Sequence, residues 1–194
     1  MQKLAAAQLM SLEQYARERP VLRTGMIEHR RARQLRIGAH CTWSFEDRRT
    51  VQYQVQEMLR SERIFEPAAI AEELETYNPL IPDGSNLKAT LMIEYADAAE
   101  RARRLGELRG FERRCWMRVA GFDPVFAIAD EDLARENDTK TSAVHFLRFE
   151  FAASMIAAAR AGAALAAGID HPEYRHSVDP LPAGLRGELL ADFA

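Results

Sequence analysis

Long apolar stretches are missing from this chain of 194 residues. The nearest approach is FAASMIAAARAGAALAAGI, residues 151–169, which is mostly alanine and is interrupted by Arg160. A membrane-spanning helix needs about 20 mainly apolar residues in succession, and the N-terminal segment also lacks the apolar centre of a secretion signal. We therefore expect a cytosolic protein of bacterial type that contains no membrane segment.

Cysteine is scarce as well. The two cysteines, Cys41 and Cys115, lie far apart in the sequence, and no CxxC pair occurs. Iron–sulfur clusters and structural zinc sites need several ligands at short, regular spacings. The sequence therefore predicts two free, partly buried thiols and no iron–sulfur cluster held by this chain.

The sequence contains no GxGxxG, Walker, GxSxG or HExxH motif. These patterns mark dinucleotide sites, phosphate loops, serine hydrolases and zinc proteases. The chain also lacks the two Glu-x-x-His motifs of a carboxylate-bridged di-iron bundle. Whether the protein is an enzyme is left open by these absences.

The net charge of −3 hides alternating bands of opposite sign. Such bands indicate faces that pair within the fold or with another subunit, and a homodimer is one such arrangement. A nucleic-acid surface is usually net basic, so the short cluster of Arg30, Arg31, Arg33 and Arg36 makes nucleic-acid binding an unfavoured alternative. The bands carry +5 over residues 1–60, −7 over 61–100, +5 over 101–120 and −6 over 121–194.

Apolar periodicity predicts an α+β fold in one domain over residues 1–194. Residues 1–78 read as mainly helical, with a first helix capped by Ser11 and a second beginning at Pro20. After the turn residues NPLIPDGSN the period changes from 3.6 to 2. Residues 87–169 are therefore expected to hold a four-stranded, mainly antiparallel sheet flanked by helices, the last of them over 152–169. A C-terminal extension follows over 170–194, with a Pro-rich connector and then a last short helix in LRGELLADF. The acidic stretch from Asp130 is expected to begin a solvated helix.

One predicted helix, residues 47–63, contains an unusual carboxylate. At about 100° per residue, Glu62 falls in the middle of an apolar stripe that consists of Val51, Val55, Met58, Leu59 and Phe65. A buried carboxylate must be paired, bind a metal or take up a proton. Glu62 is therefore expected to pair with an arginine, with a metal or catalytic role and simple exposure as alternatives.

The same helix carries a polar line that contains Asp47, Gln54 and Glu57. This line is either a solvated face or one wall of a polar pocket that binds a divalent metal or performs acid–base chemistry. His145, on a strand face with Leu147 and Phe149, is either a core histidine or a ligand that faces this pocket, and His40 is a second histidine candidate. The candidate metal pocket consists of Asp47, Gln54, Glu57, Glu62 and His145.

Three segments together resemble a bacterial family of unknown function, DUF3501. They are FEDRRTVQYQVQEMLRSERIFEP, YNPLIPDGSNLKATLMIEY and KTSAVHFLRFE, and the resemblance covers nearly the whole chain. It implies no established activity, fold or catalytic residue. It does imply an association with rubrerythrin-like proteins and iron–sulfur oxidoreductases, in which this chain is an accessory partner in redox or oxidative-stress metabolism. A metal-binding protein or enzyme that uses the 47–63 helix is the alternative.

Overall fold

The computed structural model of the chain describes residues 2–129, 131 and 139–194, so most of the helix start expected from Asp130 lies outside the described residues. The described part contains six α-helices and nine strands. The helices are α1 (Leu12–Ala32), α2 (Arg48–Glu62), α3 (Pro67–Tyr77), α4 (Ala98–Glu107), α5 (Ala153–Arg160) and α6 (Ala183–Leu190). The strands are β1 (Gln34–Arg36), β2 (Cys41–Glu46), β3 (Asn86–Ile93), β4 (Cys115–Val119), β5 (Val125–Phe126), β6 (Ile128–Ala129), β7 (Val144–Glu150), β8 (Leu165–His171) and β9 (Tyr174–Val178).

The strands form two antiparallel sheets, which confirms the α+β class. The first sheet has the order β1-β2-β3-β7-β6 and the second the order β5-β4-β8-β9. The sequence pattern had indicated one four-stranded sheet. Two further strands, β1 and β2, lie in the half expected to be mainly helical, and β8 and β9 lie in segments expected to be helix and connector.

The alanine-rich segment after α5 is a strand because a glycine ends the helix. Gly162 has a φ of 113°, which side chains other than glycine rarely adopt, and α5 stops at Arg160. Gly168 then lies directly opposite Trp116 in the pairing of β8 with β4. A Cβ at Gly168 would overlap the Trp116 ring, so small residues on β8 make room for the indole of its neighbour.

Pro20 does not begin a second helix but lies inside α1, which runs without a break from Leu12 to Ala32. Ser11 caps this helix as predicted, accepting a hydrogen bond from the Gln14 backbone N–H at 3.2 Å. Tyr15 and Met26 are buried on either side of the proline. Their burial stabilises both halves of the helix and offsets the hydrogen bond that proline cannot donate.

The main core lies on the inner face of the first sheet and extends across the second sheet to the C-terminal helix. Alternate residues of β3 and β7 are buried, as their period predicts. A separate cluster beneath α2 and α3 includes Val51, Val55 and Leu74. That the chain is one domain stays a prediction, which is supported by the large cluster that includes residues from Leu35 to Phe193.

Arg33 joins the end of α1 to the end of β2 and to the C-terminal segment. Its side chain is 2% exposed and donates to the carbonyl oxygens of Phe45 at 3.1 Å and of Glu46 at 3.3 Å. It also pairs with the buried carboxylate of Asp192. Burial raises the pKa of Asp192 to about 6, against the opposing effect of Arg33.

No helix within the described ranges combines the length and the apolar character that crossing a membrane requires.

We predict that Gly168→Ala lowers the free energy of unfolding by about 1–3 kcal/mol, because the added methyl group overlaps the Trp116 ring and forces a shift. Urea unfolding measures this change. The matched control is Gly187→Ala in α6, where a Cβ meets no atom within 4 Å and better helix propensity should stabilise by up to about 1 kcal/mol. Equal effects of the two substitutions would contradict the packing argument.

Candidate functional site

The outer face of the first sheet is lined by polar and apolar side chains in regular rows. In the antiparallel register Glu46 lies opposite Lys88, and Lys88 lies opposite Arg148. Thr90 likewise lies between Ser44 and Phe146. Directly opposed residues point to the same side of a sheet and are close neighbours, so these rows form a continuous floor.

Above this floor, α2, α3 and the turn at Asn78–Leu80 leave an opening, which we call the sheet–helix cavity. It has two adjoining parts of about 300 and 360 Å³. Both parts are lined by Glu46, Tyr77, Leu80 and Phe146. The first part is also lined by Lys88, Ile128, Glu131 and Arg148, and the second by Arg30, Thr90, Met92 and Gln54.

The carboxylate of Glu46 is fixed at the boundary between the two parts of the cavity. One oxygen accepts a hydrogen bond from Thr50 Oγ1 of α2 at 2.6 Å, and the other accepts from Thr90 Oγ1 of β3 at 2.7 Å. Two hydroxyl donors therefore hold the carboxylate in one orientation. Glu46 thus links α2 to the sheet and fixes one polar position in the cavity wall.

The two cations of the floor differ in their contacts. Arg148 donates from Nε and Nη2 to the two carboxylate oxygens of Glu131, at 2.7 and 2.6 Å, and also pairs with Glu150. Lys88 donates through Nζ to the carbonyl oxygen of Pro79. Among the described residues no carboxylate forms an ion pair with Lys88. The half-buried ammonium group of Lys88 is thus held by one backbone oxygen.

The pKa of Lys88 is lowered from its ordinary value. Burial is the main cause, since it disfavours the charged form. The charge of Asp83 opposes this effect, and the neighbouring charge of Arg148 adds to it. The Lys88 amine is therefore more readily deprotonated than a lysine on an open surface.

The predicted polar line on α2 does not form one pocket. Asp47 is the N-cap of α2, accepting from the Thr50 backbone N–H at 2.7 Å, and its other oxygen pairs with His29 Nε2 at 2.7 Å. Gln54 lines the second part of the cavity. Glu57 faces α1 and lies in a separate group of contacts.

Glu57 is held by two residues of α1. Tyr15 Oη donates to it at 2.6 Å, and Arg19 donates through Nε and Nη2 at 2.7 and 2.8 Å. The hydrogen bonds from Arg19, aided by Tyr15, lower the pKa of Glu57 to about 2. Glu57 is therefore an ionised link between α1 and α2.

The predicted burial of Glu62 is wrong, because the side chain is exposed. The prediction extended the apolar stripe of the helix to Phe65. The helix ends at Glu62, and Arg63 turns the chain away in the left-handed conformation with a φ of 57°. Phe65 is itself 68% exposed, so the buried apolar stripe ends at Leu59 and the exposed Glu62 needs no paired arginine.

His145 lies on the opposite side of the first sheet from α2. It is fully buried on the inner face and contacts Thr141 Oγ1 at 2.9 Å and the Ser142 carbonyl oxygen at 3.0 Å through Nε2. His40 contacts the Glu94 carbonyl oxygen through Nδ1 at 3.0 Å and stacks on Tyr95. His145 is therefore placed as a core histidine.

The five residues of the predicted metal pocket are not brought together. In the part of the chain that the structure describes, no three His, Cys, Asp or Glu side chains converge closely enough to hold a metal ion. That the protein binds a divalent metal stays a prediction, and the described residues form no site for the ion.

The two thiols are free, as predicted, and both are buried. Burial raises the pKa of Cys41 to about 12 and holds the pKa of Cys115 well above its usual value. Both sulfurs therefore stay protonated at neutral pH and are poor nucleophiles.

Apart from Gln54, the residues that line the cavity were not predicted to form a pocket, although the sequence contains one signal for them. The alternation of LKATLMIEY identified the buried side of β3. The same alternation places Lys88, Thr90 and Met92 on the other face, where a lysine and a threonine beneath helices indicate a polar floor. Their partners on β2 and β7 could not be assigned without the register.

The fold and the cavity define a mixed α+β protein with two antiparallel sheets, in which helices cover a recess on one sheet face. The chain belongs to the family described as "Protein of unknown function (DUF3501)", whose model matches residues 3–193. The resemblance found in the sequence is thereby confirmed. No curated protein matches the chain.

A solved structure has the same fold. It is the crystal structure of a novel protein of unknown function from Burkholderia pseudomallei K96243, which is 44% identical to this chain. The match covers 100% of both chains with a TM-score of 0.94.

We predict that Glu57→Gln lowers the free energy of unfolding by roughly 1–3 kcal/mol near neutral pH, after allowance for partial exposure. Because the pKa of Glu57 is lowered to about 2 in the folded protein, its stabilising effect is present above the unfolded value near 4.5 and is lost as pH falls towards 2. The difference between wild type and variant in urea unfolding should therefore shrink below about pH 4.5. A difference that does not change with pH would contradict the ion pair with Arg19.

Proposed function

We propose that this protein binds a small, mainly apolar and uncharged molecule in the sheet–helix cavity. The observation that carries the proposal is the pair of adjoining openings, of about 300 and 360 Å³, on the outer face of the first sheet. Small-molecule sites in proteins commonly measure about 300–1,000 Å³. Voids left by ordinary packing are much smaller, since protein interiors are close-packed.

The walls of the cavity have the character of a ligand site. Tyr77, Leu80, Met92 and Phe146 supply apolar and aromatic surface. A few polar groups are fixed among them, with Glu46 the most firmly held. Sites for small molecules combine largely apolar walls with a small number of oriented polar groups.

The charges of the cavity favour an uncharged ligand. The cations Arg30, Lys88 and Arg148 are matched by the carboxylates of Glu46, Glu131 and Glu150, which line the cavity or pair with its arginine. Among the described residues, an anion in this site would therefore meet three carboxylates as well as three cationic side chains.

Lys88 supplies the polar contact for such a ligand. A protonated lysine has three N–H donors, and the contact with the Pro79 carbonyl oxygen uses one of them. The remaining donors can be offered to a carbonyl or hydroxyl oxygen of the ligand. We therefore expect the polar end of the ligand at Lys88 and its apolar part against Leu80 and Phe146.

The test uses N-phenyl-1-naphthylamine, an uncharged probe whose fluorescence rises in apolar surroundings. We expect the wild-type protein to bind one probe molecule per chain. Leu80→Trp, which fills the cavity, should weaken binding by about tenfold or more, equivalent to ~1.4 kcal/mol. Fluorescence titration measures both affinities.

The matched control is Val21→Trp on α1, since Val21 is 78% exposed and is not among the residues that line the cavity. It adds the same indole to the surface and should leave probe binding unchanged. Equal probe binding by wild type and Leu80→Trp would contradict the proposed site, and urea unfolding of both variants checks that they are folded.

A second proposed function is an accessory role in cytoplasmic redox metabolism, in which this chain docks on an iron–sulfur oxidoreductase or a rubrerythrin-like protein. Two observations suggest that such a role would involve binding to the partner and not thiol exchange with it. Both thiols are buried and protonated, so they are unsuited to exchange with a partner. The long helix α1 exposes Val21 and Ile27 beside several arginines, which suits an acidic partner surface.

We predict that affinity purification from producing cells recovers an iron–sulfur or rubrerythrin-like protein with the wild-type chain. Ile27→Asp should reduce that recovery, because it places a charge on the exposed apolar side of α1. Phe65→Asp is the control, since Phe65 is 68% exposed on a different surface. Recovery of this chain alone, or as a homodimer alone, would contradict the partner role.

A further inference from the structure

Lysine is rare in this protein, and one of its few lysines lies in the sheet–helix cavity. The chain has 26 Lys and Arg residues, of which three are lysines. Lys3 and Lys140 are exposed, whereas Lys88 is half-buried in the cavity floor. Every other basic side chain of the cavity is an arginine, which cannot act as a nucleophile at neutral pH.

The surroundings of Lys88 favour the uncharged amine. Apolar side chains border the cavity, and Lys88 lies between two directly opposed residues, Glu46 on β2 and Arg148 on β7. Arg148 is fixed there by Glu131 and Glu150, so its charge stays beside the amine. Lysines that act as nucleophiles are activated by desolvation in an apolar pocket or by a neighbouring cation.

Charged groups of both signs lie near the Lys88 amine, among them the Glu46 carboxylate directly opposite it on β2. Arg148 disfavours its protonation, while Asp83, Glu131 and Glu150 favour it. Burial outweighs these contributions, and the pKa of Lys88 is lowered. A larger share of free amine is therefore present at neutral pH than for a lysine with the ordinary pKa.

We propose that Lys88 forms an imine with a small, uncharged aldehyde or ketone bound in the sheet–helix cavity. This inference rests on the proposed ligand-binding function and names the chemical class of the ligand. The balanced charges of the cavity favour an uncharged carbonyl compound over a keto acid.

The step needs no co-reactant. The lone pair of the deprotonated Lys88 nitrogen attacks the carbonyl carbon, and the C–N bond forms as the carbonyl π electrons move to oxygen. Transfer of a proton from nitrogen to oxygen gives a carbinolamine. Loss of the hydroxyl group and a nitrogen-bound proton as one water molecule then gives the imine, and water reverses the reaction.

The test is reductive trapping with hexanal and sodium cyanoborohydride near neutral pH, followed by peptide mass spectrometry. Hexanal supplies the carbonyl group and an apolar tail, and cyanoborohydride reduces the imine to a stable secondary amine. At short times we expect labelling of Lys88 to exceed that of Lys3 by about tenfold, because the cavity concentrates the aldehyde beside an activated amine. Lys3 and Lys140 act as internal standards in the same molecules.

Two controls tie the labelling to the cavity. Leu80→Trp should abolish the excess labelling of Lys88 and leave the labelling of Lys3 unchanged. A saturating concentration of N-phenyl-1-naphthylamine should have the same effect on the wild-type protein. This second control does not depend on the folding of a variant. Labelling of Lys88 at or below the level of Lys3 would overturn the inference, as would an excess that neither control removes.

The outcomes separate this inference from the proposed function. If the naphthylamine probe binds and Leu80→Trp blocks it, while Lys88 shows no excess labelling, the cavity is a ligand site without imine chemistry. If Leu80→Trp changes neither the affinity for the probe nor the labelling of Lys88 by hexanal, both proposals fail.

Discussion

The antiparallel pairing of β3 with β2 and β7 is the constraint on which the rest of this structure depends. It buries Leu87, Ala89 and Leu91 on one face and turns Lys88 and Thr90 to the other. A shift of register by one residue would exchange the two faces. The large core and the sheet–helix cavity are therefore two consequences of one pairing, and the core fixes the register that builds the cavity floor.

The sequence predicted those parts of the fold that depend on strong local periodicity. The α+β class, the helix that begins after Asp47 and the buried sides of β3 and β7 all follow from apolar spacing. The second sheet does not, because the centre of β8 is Ala166, Ala167 and Gly168, whose small side chains give neither a helical nor a strand period. Its conformation is set by the left-handed turn at Gly162 and by the space that Gly168 leaves for Trp116, which are tertiary effects.

The candidate site was less accessible to sequence reasoning, for two different reasons. Glu62 was misjudged because a helical projection carries no information on where the helix ends, and Arg63 ends it before the apolar stripe is complete. His145 and α2 were placed together, although the first sheet separates them. The cavity residues come from β2, β3, β7, α2 and α3, and only the register and the covering helices reveal that they meet.

The most direct test of the cavity as a ligand site uses the methionine methyl groups as reporters. Met92 lines the cavity, whereas Met117 is fully buried in the main core and Met26 is a buried residue of α1. In protein labelled with ¹³C at these methyl groups, addition of N-phenyl-1-naphthylamine should shift the Met92 resonance and leave those of Met117 and Met26 in place. A Met92 resonance that does not move while the probe binds would contradict the account.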